Sequence, residues 1–251
     1  MKPAELFDLT GRVAVVTGGS RGLGREIVLG FARAGADVVV TSRKLEACQA
    51  VARQVEETGR KAVAYACHVG QWDALPGLVE AAYDAFGKVD VLVNNAGMSP
   101  LYDKVENVTE PLYDKVFAVN LKGPFRLSAL FGARMAAGAG GSIINVSSVG
   151  SIRPTADIIP YASAKAGLNA MTIAFADALG PKVRVNCIMP GSFLTDATRD
   201  WDMEAFNRHA QRFALRRAGA PSEIVGAALY LASDAASYTT GAILTVHGGI
   251  P

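Results

Sequence analysis

Short apolar runs rich in β-branched residues alternate along the chain with longer stretches whose apolar positions recur at helical spacing. Arg12–Thr17 (RVAVVT) reads as a buried strand, Gly22–Ala34 as a helix and Asp37–Ser42 (DVVVTS) as the next strand. Lys44–Thr58 carries mixed charge at helical spacing and stops at Gly59; Ala62–Cys67 is a strand. Trp72–Phe86 is a helix with Gly87 just beyond it, and Val89–Asn94 is a strand. Pro111–Ala137 reads as a long helix, interrupted near Asn120–Pro124 because Gly123-Pro124 disfavours a straight one. Ser142–Ser147 (strand), Tyr161–Leu179 (helix), Val183–Met189 (strand), Ser222–Leu231 (helix) and Ala242–Val246 (strand) complete the pattern. Strands separated by helices of this length imply βαβ units and a parallel sheet covered on both faces. The expected fold is α/β: one doubly wound domain over residues 1–251, with about seven strands.

Composition narrows the function. Apolar residues make up 50% of the 251 and charged residues 19%, enough for a large core. Lysine plus arginine (25) barely exceeds aspartate plus glutamate (23), so no basic surplus points to nucleic acid. Uncharged stretches such as Met135–Ile152 are broken by Gly, Ser and Asn, and none reads as a membrane span. The first ten residues lack the apolar core of a secretory signal. Three scattered cysteines, Cys48, Cys67 and Cys187, suit a reduced cytoplasmic protein, and neither they nor the three histidines have metal-ligand spacing.

Candidate chemistry begins where the first strand ends, in Thr17-Gly18-Gly19-Ser20-Arg21-Gly22-Leu23-Gly24. Glycines at 18, 22 and 24 permit a tight strand-to-helix turn that lets a pyrophosphate approach the backbone. The helix start then offers free N–H groups and a partial positive charge to the anion. A turn that needs glycine for packing alone is the alternative. Further signatures follow in order: Asn94-Asn95-Ala96-Gly97, Asn120, Ser148, Tyr161-Ala-Ser-Ala-Lys165 and Pro190-Gly191. Together these resemble the short-chain dehydrogenase/reductase family over nearly the whole chain, with likeness to its 3-oxoacyl-[acyl-carrier-protein] reductase and gluconate 5-dehydrogenase members. The resemblance implies a Rossmann-type sheet and an oxidoreductase that moves hydride between a nicotinamide cofactor and a carbonyl or secondary alcohol.

Tyr161 and Lys165, four apart on one helix, share a face. A phenol titrates near 10, and an adjacent ammonium favours its ionised form, by about 1–3 units. Ser148, thirteen residues before the tyrosine, can hold a substrate oxygen in line with the phenol; Ser147 competes for that role. By resemblance Tyr161 is the general acid/base, Lys165 tunes it and binds the nicotinamide ribose, Ser148 polarises the carbonyl, and Asn120 helps hold a proton-relaying water. A kink side chain bonded to backbone is the other reading of Asn120. Resemblance also assigns cofactor contacts to Gly18, Ser20, Arg21, Gly22, Leu23, Gly24, Asn95, Ala96, Gly97, Pro190, Gly191 and Thr195, with Asn95 also tying neighbouring strands.

The second strand ends Val40-Thr41-Ser42-Arg43-Lys44, without the acid that usually receives an NAD ribose. Arg43 and Arg21 are placed to converge on a 2′-phosphate, so NADP(H) is expected over NAD(H). Where the family often has Asp-Val, this chain has His68-Val69 near the adenine, and where it often has VDGG, Val246-His247-Gly248-Gly249, a tail expected to bear on assembly. The substrate is a small carbonyl or alcohol set by 98–103, 150–159 and 192–211. The last of these carries Phe193, Trp201, Met203 and Phe206, either a substrate cover or ordinary packing. A non-catalytic NADP-binding scaffold or sensor is the rival class. The helix 161–179 bears two charges, Lys165 and Asp177, and has small or apolar residues around most of its circumference. It therefore needs a partner, and the resemblance implies a homotetramer.

Overall fold

The computed structural model describes residues 3–196 and 202–250. Seven strands form one parallel sheet: β1 (Val13–Thr17), β2 (Asp37–Ser42), β3 (Ala62–Ala66), β4 (Val91–Asn94), β5 (Gly141–Val146), β6 (Val183–Pro190) and β7 (Ile243–Val246). Their order is β3-β2-β1-β4-β5-β6-β7. The chain moves outward one way from β1 to β3, then crosses back so that β4 lies on the free side of β1. That reversal opens a crevice beyond the carboxyl ends of β1 and β4, where open α/β sheets bind ligands.

Alternation within the strands sends neighbouring residues to opposite layers. Ala14, Val16, Val38 and Val40 pack under helices α1 (Gly22–Arg33) and α2 (Leu45–Glu56), with Ile27, Phe31, Val51 and Val55. Val13, Val15 and Val39 face the other way, toward Leu75 and Leu78 of α3 (Leu75–Phe86) and, across the sheet, Leu127 and Phe131 of α5 (Gly123–Ala137). Both layers are buried, as uninterrupted apolar strands require.

The sequence places the elements within a few residues, and the differences have local causes. Pro76 sits in the first turn of α3, and a short 3-10 turn, Trp72–Ala74, precedes it. The long helix expected over 111–137 is α4 (Glu110–Phe117), a π-turn (Ala118–Lys122) and α5. A Cβ at Gly123 would fall on the carbonyl of Val69, so the helix can pass that backbone only at a glycine. α6 spans Ile159–Leu179. The expected helix 222–231 begins as a 3-10 turn, Pro221–Ile224, and continues as α8 (Val225–Ala232).

Helix α7 (Met203–Ala210) was not expected. The signal was present: Asp202 accepts the N–H groups of Glu204 (3.0 Å) and Ala205 (2.9 Å), a side-chain N-cap. The amino ends of the strands are tied separately. Ser142 Oγ and Arg184 Nη2 both donate to the carbonyl of Leu231, at 2.8 and 2.9 Å. Arg12 pairs with Asp234 at 2.9 Å, and Val13 N–H donates to Asp90.

Candidate active site

The crevice is built from turns that lock onto one another. Thr17 Oγ1 donates to Val93 O (3.1 Å) and accepts the N–H groups of Asn95 (3.0 Å) and Ala96 (3.1 Å). Asn95 Nδ2 donates to Thr17 O at 2.9 Å and to Gly18 O at 3.3 Å. One threonine and one asparagine thus staple the β1 turn to the β4 turn. Two of the three glycines serve this packing. Gly18 has φ +65°, and a Cβ there would lie 2.9 Å from the Asn95 amide; a Cβ on Gly24 would fall on Gly18 O and that amide. Gly22, at φ +53°, faces the methyl of Thr195 on the loop after β6. The packing reading therefore holds for Gly18 and Gly24, and Gly22 borders the crevice. Leu23 packs into the core, and Arg21 stands at the N-cap of α1 without capping it by its side chain. The first N–H groups of α1 are therefore not taken by a side-chain cap, as an anion site requires.

On the other side of the crevice α6 presents Tyr161 and Lys165. Lys165 is 3% exposed; its Nζ donates to Val146 O at 2.7 Å and lies 5.8 Å from the Tyr161 ring centroid. Burial lowers this ammonium to about 8. Burial likewise pushes the Tyr161 phenol up, while a hydrogen bond with Ser148 pulls it down. The group that lowers the phenol is the serine, and the lysine ammonium donates to the β5 backbone. Ser148 Oγ also accepts Gly150 N–H at 3.1 Å, which leaves its own proton to give. Ser147 is buried and donates to Lys165 O at 3.2 Å, so Ser148 is the serine that meets the phenol. Gly97 opens the space beside Lys165: a Cβ there would lie 3.6 Å from Nζ.

Two hydroxyls and a buried cation, one hydroxyl from the turn after β5 and the rest from α6, are equipped to exchange a proton with an oxygen held in the crevice. Comparison with known proteins shows the family. Residues 18–251 match the family described as enoyl-(acyl carrier protein) reductase. The human dehydrogenase/reductase SDR family member 4 is 34% identical over 246 residues, 97% of this chain and 88% of that protein. The chain belongs to the short-chain dehydrogenase/reductase family. A 7α-hydroxysteroid dehydrogenase solved with NADH and 7-oxo-glycochenodeoxycholic acid superposes with a TM-score of 0.95 at 35% identity, covering 99% of this chain and 98% of the other. A 3-oxoacyl-(acyl-carrier-protein) reductase from Agrobacterium tumefaciens C58 with NADP bound gives 0.93 at 32% identity, with coverage of 99% and 98%. The protein is an oxidoreductase of the CH–OH/C=O type.

Within this short-chain dehydrogenase/reductase the remaining expected residues fall as follows. Asn120 is buried in the π-turn, its Oδ1 accepting Met98 N–H (3.2 Å) and its Nδ2 donating to Met98 O (2.8 Å) and Val116 O (2.9 Å). All three of these side-chain bonds go to backbone. Ser20 and Ser42 are half-buried; Ser42 Oγ lies 3.0 Å from the Cys48 thiol, a neighbour the sequence did not suggest. Among the described residues neither Arg21 nor Arg43 has a hydrogen bond or ion pair from its side chain, and both are exposed. His68 Nδ1 accepts Gly70 N–H at 3.1 Å, closing a turn, and Val69 is buried against the π-turn. Pro190 pairs with Val246, and Gly191 is held by the tail: a Cβ there would strike His247 and Ile250. His247 Nδ1 in turn accepts the N–H groups of Gly249 and Ile250, both at 3.1 Å.

The loop after β6 is not all substrate cover. Phe193 is 8% exposed and joins the core under α1 and α8, against Gly219. Phe206 is buried, and Met203 lines a cavity of about 450 Å³ with Gly22, Arg25, Leu194 and Thr195. Trp201 lies outside the described residues.

Proposed function

We propose that this chain is an NADP(H)-preferring reductase or dehydrogenase of small carbonyl or alcohol substrates, with Tyr161 as the general acid/base. The observation that carries it is the meeting of Ser148 and Tyr161 over a buried Lys165, beside Gly97. The residues fit a dinucleotide: the cradle at Gly22 and the uncapped start of α1 suit its pyrophosphate, and Arg21 and Arg43 suit a 2′-phosphate. Bound there, a nicotinamide supplies or accepts the hydride. The protein does the rest. Ser148 gives the substrate oxygen a hydrogen bond and orients it, keeping its own proton. Tyr161, held protonated at neutral pH by burial, gives its proton to that oxygen in the reducing direction. Lys165 stands ready to hold a ribose hydroxyl next to Gly97. Asn120 contributes by fixing the Met98 segment and the π-turn, and a relayed water would have to be met by its main chain. Three free, buried thiols suit a reducing, cytoplasmic setting.

NAD(H) is the second reading, favoured by the neighbour that carries NADH. A ketone panel run with both cofactors separates the two. Tyr161→Phe is expected to lower turnover by roughly 10²–10⁴-fold with little change in NADPH fluorescence titration; near-normal turnover would remove Tyr161 from the chemistry. A scaffold without activity would turn over nothing in any arm.

Assembly belongs to the same proposal. On α6 the residues Ala166, Ala170, Ile173 and Ala174 are exposed, Ile173 by 55%, and Phe125 on α5 is exposed by 45%. This apolar, small-residue face supports a homotetramer that buries α6 between subunits.

A further inference from the structure

Tyr161, Lys165 and Asn169 lie at i, i+4 and i+8 on α6 and so share one face. The first two are accounted for. Asn169 is 9% exposed, and its amide is engaged at both ends. Its Oδ1 receives the Cys187 thiol at 3.6 Å, and its Nδ2 donates to Ser151 Oγ at 2.8 Å. Ser151 passes the contact on: its hydroxyl donates to the carbonyl of Ser148 at 2.6 Å, and its N–H donates to the same carbonyl at 2.9 Å. That carbonyl therefore takes two donors from one residue, which fixes the turn Val149–Ser151 and with it the direction of the Ser148 side chain.

We propose that Asn169 is a positioning residue: acting through Ser151, it locks the turn that carries Ser148 to the helix face that carries Tyr161 and Lys165. The inference rests on the reading of Ser148 and Tyr161 given above. It follows from competition for one proton. The Ser151 hydroxyl has a second acceptor, Met189 Sδ, at 3.3 Å. A thioether is a weak acceptor. With the Asn169 amide feeding a proton to Ser151 Oγ, that oxygen is held where its own proton points at Ser148. Without it, the hydroxyl is free to turn toward Met189, and the Ser148 carbonyl loses the shorter of its two hydrogen bonds. Ser148 and Tyr161 sit on different elements, a loop and a helix, so their mutual aim depends on a tie of this kind.

The test pairs Asn169→Leu with Ser151→Ala, Ser151→Thr and Ser148→Ala. Asn169→Leu and Ser151→Ala are each expected to lower kcat about tenfold to a hundredfold, the scale of a misplaced catalytic group. NADPH affinity by fluorescence titration and substrate KM should stay near wild type. The double variant should be no worse than either single one, because both cut the same chain. Ser151→Thr keeps the hydroxyl and should keep kcat. Loosening Ser148 also relaxes what pulls the Tyr161 phenol down, so the inflection of the kcat–pH profile should move to higher pH. A lowered Tm with wild-type kcat and pH profile in Asn169→Leu overturns the proposal, as do additive losses in the double variant. If Asn169→Leu does not fold, Ser151→Ala decides by the same readouts. Ser148→Ala keeps the two failures apart: normal turnover there would overturn the parent reading of the serine instead.

Discussion

Lys165 is the residue whose cost and use are most plainly opposed. It is almost wholly buried, and burial lowers its ammonium from 10.5 to about 8. Below pH 8 folded and unfolded chains are both protonated, and the folded one bears the full desolvation penalty, about 3 kcal/mol. Between pH 8 and 10.5 the folded lysine is neutral while the unfolded one is still charged, so the penalty is relieved as pH rises. Lys165→Met removes the charge but also the bond to Val146 O, worth about 1 kcal/mol. The variant is therefore expected to be more stable than wild type at pH 7, by about 2 kcal/mol, and inactive. Denaturant melts at pH 7 and pH 9.5 check this: the advantage should shrink at the higher pH. A variant less stable than wild type at pH 7 would contradict the account. Residue-level reading from sequence succeeded where side-chain chemistry was unusual for its setting. The YxxxK pair on an apolar helix stood out because a buried lysine needs a reason. It failed where the decisive fact was which partner a group meets: Lys165 with Val146 O, Asn120 with Met98, Ser42 with Cys48.

At the scale of elements, the proposed cofactor preference rests on the ends of β1 and β2. These strands pair in register, Thr17 opposite Thr41, and Gly19 N–H donates to Thr41 O at 3.1 Å. Arg21, four residues past the end of β1, and Arg43, just past Ser42, therefore emerge from neighbouring strand ends. Arg43→Ala is expected to weaken NADPH by roughly tenfold or more, the worth of a charge-assisted contact, and NADH little. Titration with both cofactors reads the difference; equal losses would mean that Arg43 does not meet a 2′-phosphate. Strands and most helices were legible because period 2 and period 3.6 differ over a few residues. The π-turn was legible only as an interruption, since its form depends on the close pass of Gly123 over Val69 O. Helix α7 is faint in the pattern because eight residues with two buried apolar positions, Phe206 and Ala210, make a short stripe, and its clearest signal is the single Asp202 cap.

Over the whole molecule, the proposed assembly rests on the outer face of α6. An interior helix of a monomer would not leave Ile173 and a row of alanines in water. Ala170→Glu places a charge in the middle of that face, and in an assembled interface it would be unpaired and desolvated. Light scattering should then show the mass fall from tetramer to a smaller species. A wild type that is monomeric and fully active at micromolar concentration would remove the need for the face to be covered. The parallel sheet has one further consequence. The groups assigned to chemistry gather around the carboxyl ends of the strands, Ser148 just past β5 and Lys165 reaching Val146 O from α6, while Ser142, Arg184, Arg12 and Asp90 anchor the amino ends. The two sets lie a strand's length apart, roughly 15 Å at about 3.3 Å per residue. Selection for a new substrate and selection for a hardier scaffold would therefore draw on separate pools of positions. A library confined to the anchored end could raise heat tolerance generation after generation while leaving the choice of substrate to the loops above.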